Sequence, residues 1–344
     1  MGMDEFNPGI IINLNSNYSD FRFDPFTLPV FVAFIPFLYI IPTCFIILRI
    51  IQVYIEKGIK KNEEVVNKSV FLVIILCQLS CLSFFLGDLL TIRLPSTGIM
   101  TSWCYKQTPN RLLTLLFTFQ IYSSYPVMIY PVLLNIVRFV PIHWPLNHRK
   151  INSKILRYSI PFIHLYPFFF TFFMFPAVGV CRQLKDPYDF GSIYVHFFGS
   201  WNDVCSFFCL LFPKTFQFQL RNAPFQLFNS FIWFIICLLS SFLLYRKLRN
   251  LKIARCQLNR SVKYQTAEVS LTLTATSMVL AYITNLVFLG NFIIDIRLGT
   301  YFAVFRPYGN DLEICVVTWV FYLTHPAFHE KKKLRNNHST PHLL

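Results

Sequence analysis

Seven long apolar runs punctuate this chain, and they limit its fold more than any other feature. They lie near Leu28 to Val53, Ser69 to Leu90, Leu113 to Phe139, Tyr158 to Val180, Phe225 to Leu244, Val269 to Ile294 and Leu312 to Phe328. A helix needs about 20 apolar residues to cross the hydrocarbon of a bilayer, so each run is long enough to span one. Stretches such as Pro167 to Phe175 are apolar on nearly every face. That excludes the period-two alternation of a membrane barrel and leaves helices. Only 14% of the 344 residues are charged, well below a water-soluble domain. The expected fold is an all-α membrane protein, a seven-helix bundle of residues 28–328 between a tail of residues 1–27 and a tail of residues 329–344. No internal repeat points to an inverted-repeat transporter.

Orientation follows from where lysine and arginine fall, because cytoplasmic loops retain positive charge. Outside the spans, 19 lie in the loops after the first, third and fifth runs and in the C-terminal tail, against 10 on the other side. The N-terminus is therefore expected outside and the C-terminus in the cytoplasm. The net charge of +15 then reflects cytoplasmic loops and contacts to membrane lipids, with no nucleic-acid partner expected. The first 27 residues lack the pattern of a cleavable signal, so the first span is expected to act as the anchor. Asn17-Tyr18-Ser19 is a glycosylation acceptor on the outer side. The triplets at Asn67, Asn259 and Asn337 fall on the cytoplasmic side, out of reach of the glycosylating machinery.

Ten cysteines divide by compartment. Cys104, Cys181, Cys205 and Cys209 lie on the oxidising side, where Cys104 is expected to bridge to Cys181 or Cys205 in the long loop before the fifth span. Cys77 and Cys81, like Cys205 and Cys209, have a spacing that zinc sites use. Neither pair has a second pair or a histidine pair on its own side, so no metal is expected. His325 and His329 could share a helix face, but a di-iron enzyme needs several such clusters. There is no phosphate-binding glycine loop and no serine nucleophile elbow, so neither an enzyme nor a resident cofactor is expected.

Ionisable residues within spans are costly and therefore functional suspects. Asp88, near the outer end of the second span, is the candidate ligand contact; Glu313 and Asp295 stand near outer ends, at headgroup level. Few such groups argues against a proton-coupled transporter. Asn135 and Arg138, three residues apart at the inner end of the third span, share one helix face and are candidates for a conformational switch or for coupling to a cytosolic partner.

Four segments carry a family resemblance: Ile35-Pro-Phe-Leu-Tyr-Ile-Ile-Pro42; Leu133-Leu-Asn-Ile-Val-Arg138 with Pro141-Ile-His-Trp-Pro145; Phe228-Asn-Ser-Phe231 through Leu244-Tyr-Arg-Lys-Leu248; and Ala267-Glu-Val-Ser-Leu-Thr-Leu-Thr274 running to Tyr282-Ile-Thr-Asn285. From about residue 25 to 330 the chain resembles the nematode serpentine receptors of the class gamma superfamily, most of all class U. Val137 and Phe139 flank Arg138, so the acidic neighbour of the rhodopsin-like ionic lock is missing. The resemblance implies a chemosensory G protein-coupled receptor in the plasma membrane of sensory neurons, their cilia included. It implies an extracellular ligand outside and a heterotrimeric G protein inside. The alternative is a seven-span ligand-gated channel of the odorant-receptor type, whose N-terminus lies inside. Topology separates the two: Asn17 should carry a glycan, and a C-terminal tag should stain only after cells are permeabilised. Staining of intact cells would rule out the receptor orientation.

Overall fold

The computed structural model describes residues 11–60, 67–184, 188–198, 222–255, 262–294 and 296–329. Among the described residues are seven helices of 18 residues or more: α1 (Leu28–Val53), α2 (Lys68–Asp88), α3 (Arg111–His143), α4 (His148–Leu165), α5 (Asn222–Arg255), α6 (Val262–Ile294) and α7 (Ile296–Thr324). Two strands, β1 (Val178–Gln183) and β2 (Ile193–Phe198), form an antiparallel hairpin with Val178 opposite Phe198 and Gln183 opposite Ile193. Four stretches are long and apolar enough, by length and composition, to cross a membrane: Leu28–Ile59, Lys68–Ser96, Arg111–His143 and Phe225–Lys247; Val269–Thr284 is a shorter apolar segment. The first part of α4 carries Arg149, Lys150, Lys154 and Arg157, which lowers its apolar character.

The burial pattern is that of a bundle solvated by lipid. On α1, Leu38, Phe45 and Leu48 are 79%, 69% and 61% exposed, while Ala33, Ile40 and Ile47 are buried. Both faces are apolar, so water would be a poor solvent for either. On α5 the pattern is inverted relative to a soluble helix: Gln226, Asn229 and Ser230 are buried, and Phe228, Phe231, Leu239 and Phe242 are exposed. Where no water is present, polar groups must find partners inside the bundle. The α3 helix is enclosed, every residue from Ser123 to Asn135 being buried. It packs against α2, α4 and α5, while α7 packs against α1, α2 and α6.

Local chemistry sets the helix starts. Asn67 caps α2 by accepting from the backbone N–H groups of Ser69 and Val70 at 3.1 and 3.4 Å, and Asn110 caps α3 by accepting from Leu113 at 3.0 Å. Such caps satisfy first-turn donors that have no partner within the helix. A Cβ on Gly87 would stand 2.8 Å from Gln120 Cα, so α2 and α3 can approach this closely only with glycine there.

Several helical boundaries differ from the sequence expectation, among them the start of α4 at His148 and the end of α5 at Arg255, and three differences bear on the site. The fourth span ends far short of Val180: α4 stops at Leu165, followed by short turns at Phe168–Thr171 and Phe172–Met174, and Val178 already lies in β1. Pro167 and Pro176 lack the N–H that an α-helix ladder requires, so apolarity alone did not continue the helix. The second helix instead runs on beyond Leu90, through a π turn at Leu89–Arg93 to Ser96. The seventh begins near Ile296 and not Leu312. Asp311 and Glu313 are consequently inside a helix and buried, not at headgroup level. Asp295, the long segment containing Cys205 and Cys209, and the basic tail lie outside the described residues.

The hairpin covers one end of the bundle. Asn110 and Gly179 exchange backbone hydrogen bonds of 3.1 and 2.9 Å, and the Thr114 hydroxyl donates to the Ala177 carbonyl at 3.0 Å. A Cβ on Gly179 would lie 2.3 Å from Leu113 Cβ, so glycine allows β1 to rest directly on the start of α3. The N-terminal segment joins this layer: Tyr18 is buried, stacks on Phe190 with ring centroids 4.5 Å apart, and donates to Gln183 at 3.1 Å.

Candidate functional site

The end of the bundle under the hairpin contains three buried charges. Asp88, Arg93 and Asp311 are 1%, 4% and 2% exposed. In a π turn hydrogen bonds run from i to i+5, so Arg93 comes round above Asp88 and does not project from another face. Its Nε donates to Asp88 Oδ2 at 2.7 Å. The two Nη atoms fork onto the Asp311 carboxylate of α7, both at 2.7 Å. The guanidinium Cζ lies over the Phe85 ring, 4.7 Å from its centroid, a cation–π placement. Gln120 of α3 donates to the other Asp88 oxygen at 2.9 Å and accepts from Thr91 at 2.7 Å. Tyr39 of α1 donates its hydroxyl to Asp311.

Six side chains, Tyr39, Asp88, Thr91, Arg93, Gln120 and Asp311, thereby join α1, α2 with its π turn, α3 and α7. Two carboxylates face one guanidinium, a formal surplus of one negative charge. Fork geometry is what arginine supplies and lysine cannot. Both oxygens of Asp88 are engaged by protein donors, so its first role is structural. The hairpin reaches towards the cluster: burial, and to a lesser degree the charge of Asp88, raises the pKa of the Tyr188 hydroxyl and keeps it protonated. On β2, burial and then the charge of Arg182 depress the His196 imidazole to about 4, so it is neutral at physiological pH. The Arg182 Nε is buried without a hydrogen-bond acceptor among the described residues. Of these hairpin groups Tyr188 is the one that feels the charge of the cluster.

At the other end of α3, about 40 Å from the hairpin by helix rise, Arg138 is buried. Its Nη1 donates to the Leu271 carbonyl and its Nη2 to Thr272 Oγ1 of α6, each at 2.9 Å. Asn135 turns to α5, where its Nδ2 donates to Ser240 and Ser241 at 3.0 and 2.9 Å. Asn152 of α4 donates to the Val137 carbonyl at 3.1 Å. Thr324 of α7 donates to Ser270 of α6 at 2.6 Å. This end of α3 is therefore the hub at which α4, α5 and α6 meet.

The structure joins Cys104 to Cys181 in a disulfide, tying β1 to the Thr101–Lys106 turn. Cys205, the other sequence candidate, lies outside the described residues. Asn17 is exposed in a turn beside the hairpin. Sequence reasoning placed Arg93 among the loop charges and so missed the centre of the cluster. The local signal was an acid and a base five residues apart, at a helix end that runs longer than its apolar stretch. Asp311, 218 residues from Arg93, had no local signal at all.

These features define a class of fold: a seven-helix membrane bundle with a disulfide-anchored hairpin over a polar interior. The family model described as the serpentine type 7TM GPCR chemoreceptor Sru matches residues 12–331. Serpentine receptor class U-26 of Caenorhabditis elegans is 40% identical over 277 residues, covering 80% of this chain and 88% of that protein. The chain belongs to the Sru family of serpentine chemoreceptors.

The cluster generates a stability test. Arg93→Leu leaves two buried carboxylates without their cation, which should cost about 3–5 kcal/mol and appear as reduced surface delivery and earlier thermal unfolding. Adding Asp88→Asn and Asp311→Asn should recover most of that loss. A single variant as stable as the unmodified receptor would show that the charges do not hold the helices together.

Proposed function

We propose that this chain is a chemosensory receptor of the plasma membrane, with the hairpin outside and the Arg138 end in the cytoplasm. An extracellular ligand enters beneath the hairpin, between Tyr188 and the Asp88–Arg93–Asp311 cluster, and biases an equilibrium that ends in activation of a heterotrimeric G protein. Sensory-neuron membranes, cilia among them, are the proposed location.

One observation carries this reading. The only base at the inner end of α3 that reaches α6 among the described residues is Arg138, and it does so through a fork onto a carbonyl and a hydroxyl. In rhodopsin-like receptors the corresponding arginine has an acidic neighbour, which this chain lacks. Here the neutral acceptors of α6 serve as the latch. With the fork closed, guanidinium fills the space between α3 and α6 that a cytosolic partner would enter. With the fork open, α6 can swing away. A ligand acts by stabilising the open arrangement more than the closed one, since differential affinity is all that can shift such an equilibrium.

Conserving the charge while removing the fork tests this. Arg138→Lys keeps a long cationic stem but cannot make two parallel contacts. Hydrogen bonds to a charged group contribute about 1.5–3 kcal/mol, and about 1.4 kcal/mol changes a population tenfold. At equal surface density, Arg138→Lys should therefore raise ligand-independent nucleotide exchange on a co-expressed G protein roughly tenfold. Unchanged basal exchange would reduce Arg138 to an interfacial anchor.

A further inference from the structure

Between the two ends of the bundle, α2 and α7 bring together three groups that neither the ionic cluster nor the latch uses. Cys77 and Cys81 are one helical turn apart on α2 and project from the same face. Facing them is Glu313 of α7. The two Sγ atoms and a Glu313 carboxylate oxygen all lie within 4.8 Å of one another. All three residues are buried, at 0%, 2% and 4% exposure. We propose that Cys77, Cys81 and Glu313 form a binding site for a soft divalent cation of the zinc class.

Glu313 supplies the reason for a ligand. Among the described residues, no group gives its carboxylate a hydrogen bond or a counter-ion. This contrasts with Asp311 two residues earlier, which takes two donors from Arg93 and one from Tyr39. An unpaired carboxylate within a membrane bundle is costly, and a proton or a direct bond to a cation relieves that cost.

The neighbouring atoms select between those two. A site for a hard cation such as magnesium would offer further oxygens, whereas two sulfurs beside one carboxylate oxygen suit a soft or borderline ion. In a tetrahedral zinc site, with Zn–S about 2.3 Å and Zn–O about 2.0–2.2 Å, ligand atoms stand roughly 3.4–3.8 Å apart. The spacing here is close enough for side-chain rotation to complete the site. Both thiols give up their protons to solvent as the metal–sulfur bonds form, so the occupied site carries one net negative charge shared among three ligands bonded to the ion. Three protein ligands leave a fourth position for water. The sequence spacing alone argued against zinc because no second ligand set followed in the chain. The missing ligand comes from α7, 232 residues after Cys81. Binding there would fasten the same two helices that Arg93 joins nearer the hairpin.

The test uses the full-length receptor, expressed with zinc in the medium and purified in lipid nanodiscs. Metal content should approach one zinc per chain after dialysis, and X-ray absorption at the zinc edge should show two sulfur neighbours and lighter oxygen neighbours. Cys77→Ser with Cys81→Ser should lose the sulfur shell and the zinc. Glu313→Gln, nearly isosteric, should keep both sulfurs yet bind zinc at least tenfold more weakly in a chelator titration. Should the serine pair fail to fold, the sulfur count of the unmodified receptor decides by itself. A receptor without stoichiometric zinc, or zinc retained in the folded serine pair, would overturn the assignment.

Discussion

A guanidinium held between two carboxylates, away from water, fixes the geometry of one end of this bundle. In lipid there is no hydrophobic drive to press one apolar helix on another, so helix pairing depends on packing and on polar contacts inside. Arg93 supplies the strongest of these. It is carried by the π turn that extends α2, and it reaches α7 directly and α3 through the shared Asp88. Tyr39 brings in α1 through Asp311. The hairpin, pinned by its disulfide and by Gly179 on the start of α3, rests above this cluster.

The opposite end is built differently. Among the described residues its contacts include hydrogen bonds from single polar side chains to hydroxyls and carbonyls: Asn135 to α5, Arg138 to α6, Thr324 to Ser270. Each contributes less than a desolvated ion pair costs to break. In the proposed mechanism the end held by these separable contacts is the one that opens, while the other stays assembled. The α3 helix connects the two. It is buried along its middle and contains Pro126 and Pro131; between them the Met128 carbonyl accepts from the Tyr282 hydroxyl of α6. A displacement at the hairpin end of α3 therefore has a packed route to α6.

Much of the architecture was legible in the sequence because a bilayer imposes a length and a polarity on every span. The first helix matches its apolar run residue for residue, Leu28–Val53. The failures have physical causes. Apolarity carried the fourth span past Pro167 and Pro176, where backbone chemistry stops a helix and β1 begins. Polar content hid the beginning of α7, although buried partners for Asp311 make those residues acceptable within a bundle. Asn135 and Arg138 were visible as one face of α3, but their partners were not, since a backbone carbonyl such as that of Leu271 has no sequence signature. The partner of Arg93 was hidden for a different reason: ion pairs between α2 and α7 leave no trace in local spacing.

The central claim is that α3 and α6 are latched at the cytoplasmic end and part when a G protein binds. The direct measurement is the distance between probes placed at Ile136 of α3 and Val269 of α6, both on exposed faces. The receptor would be held in lipid nanodiscs, with each probe introduced through a noncanonical amino acid so that native cysteines stay unlabelled. Alone, the receptor should give a single short distance. With nucleotide-free heterotrimeric G protein bound, a second and longer distance should appear at the expense of the first. The same single distance in both samples, with G protein demonstrably bound, would contradict the account.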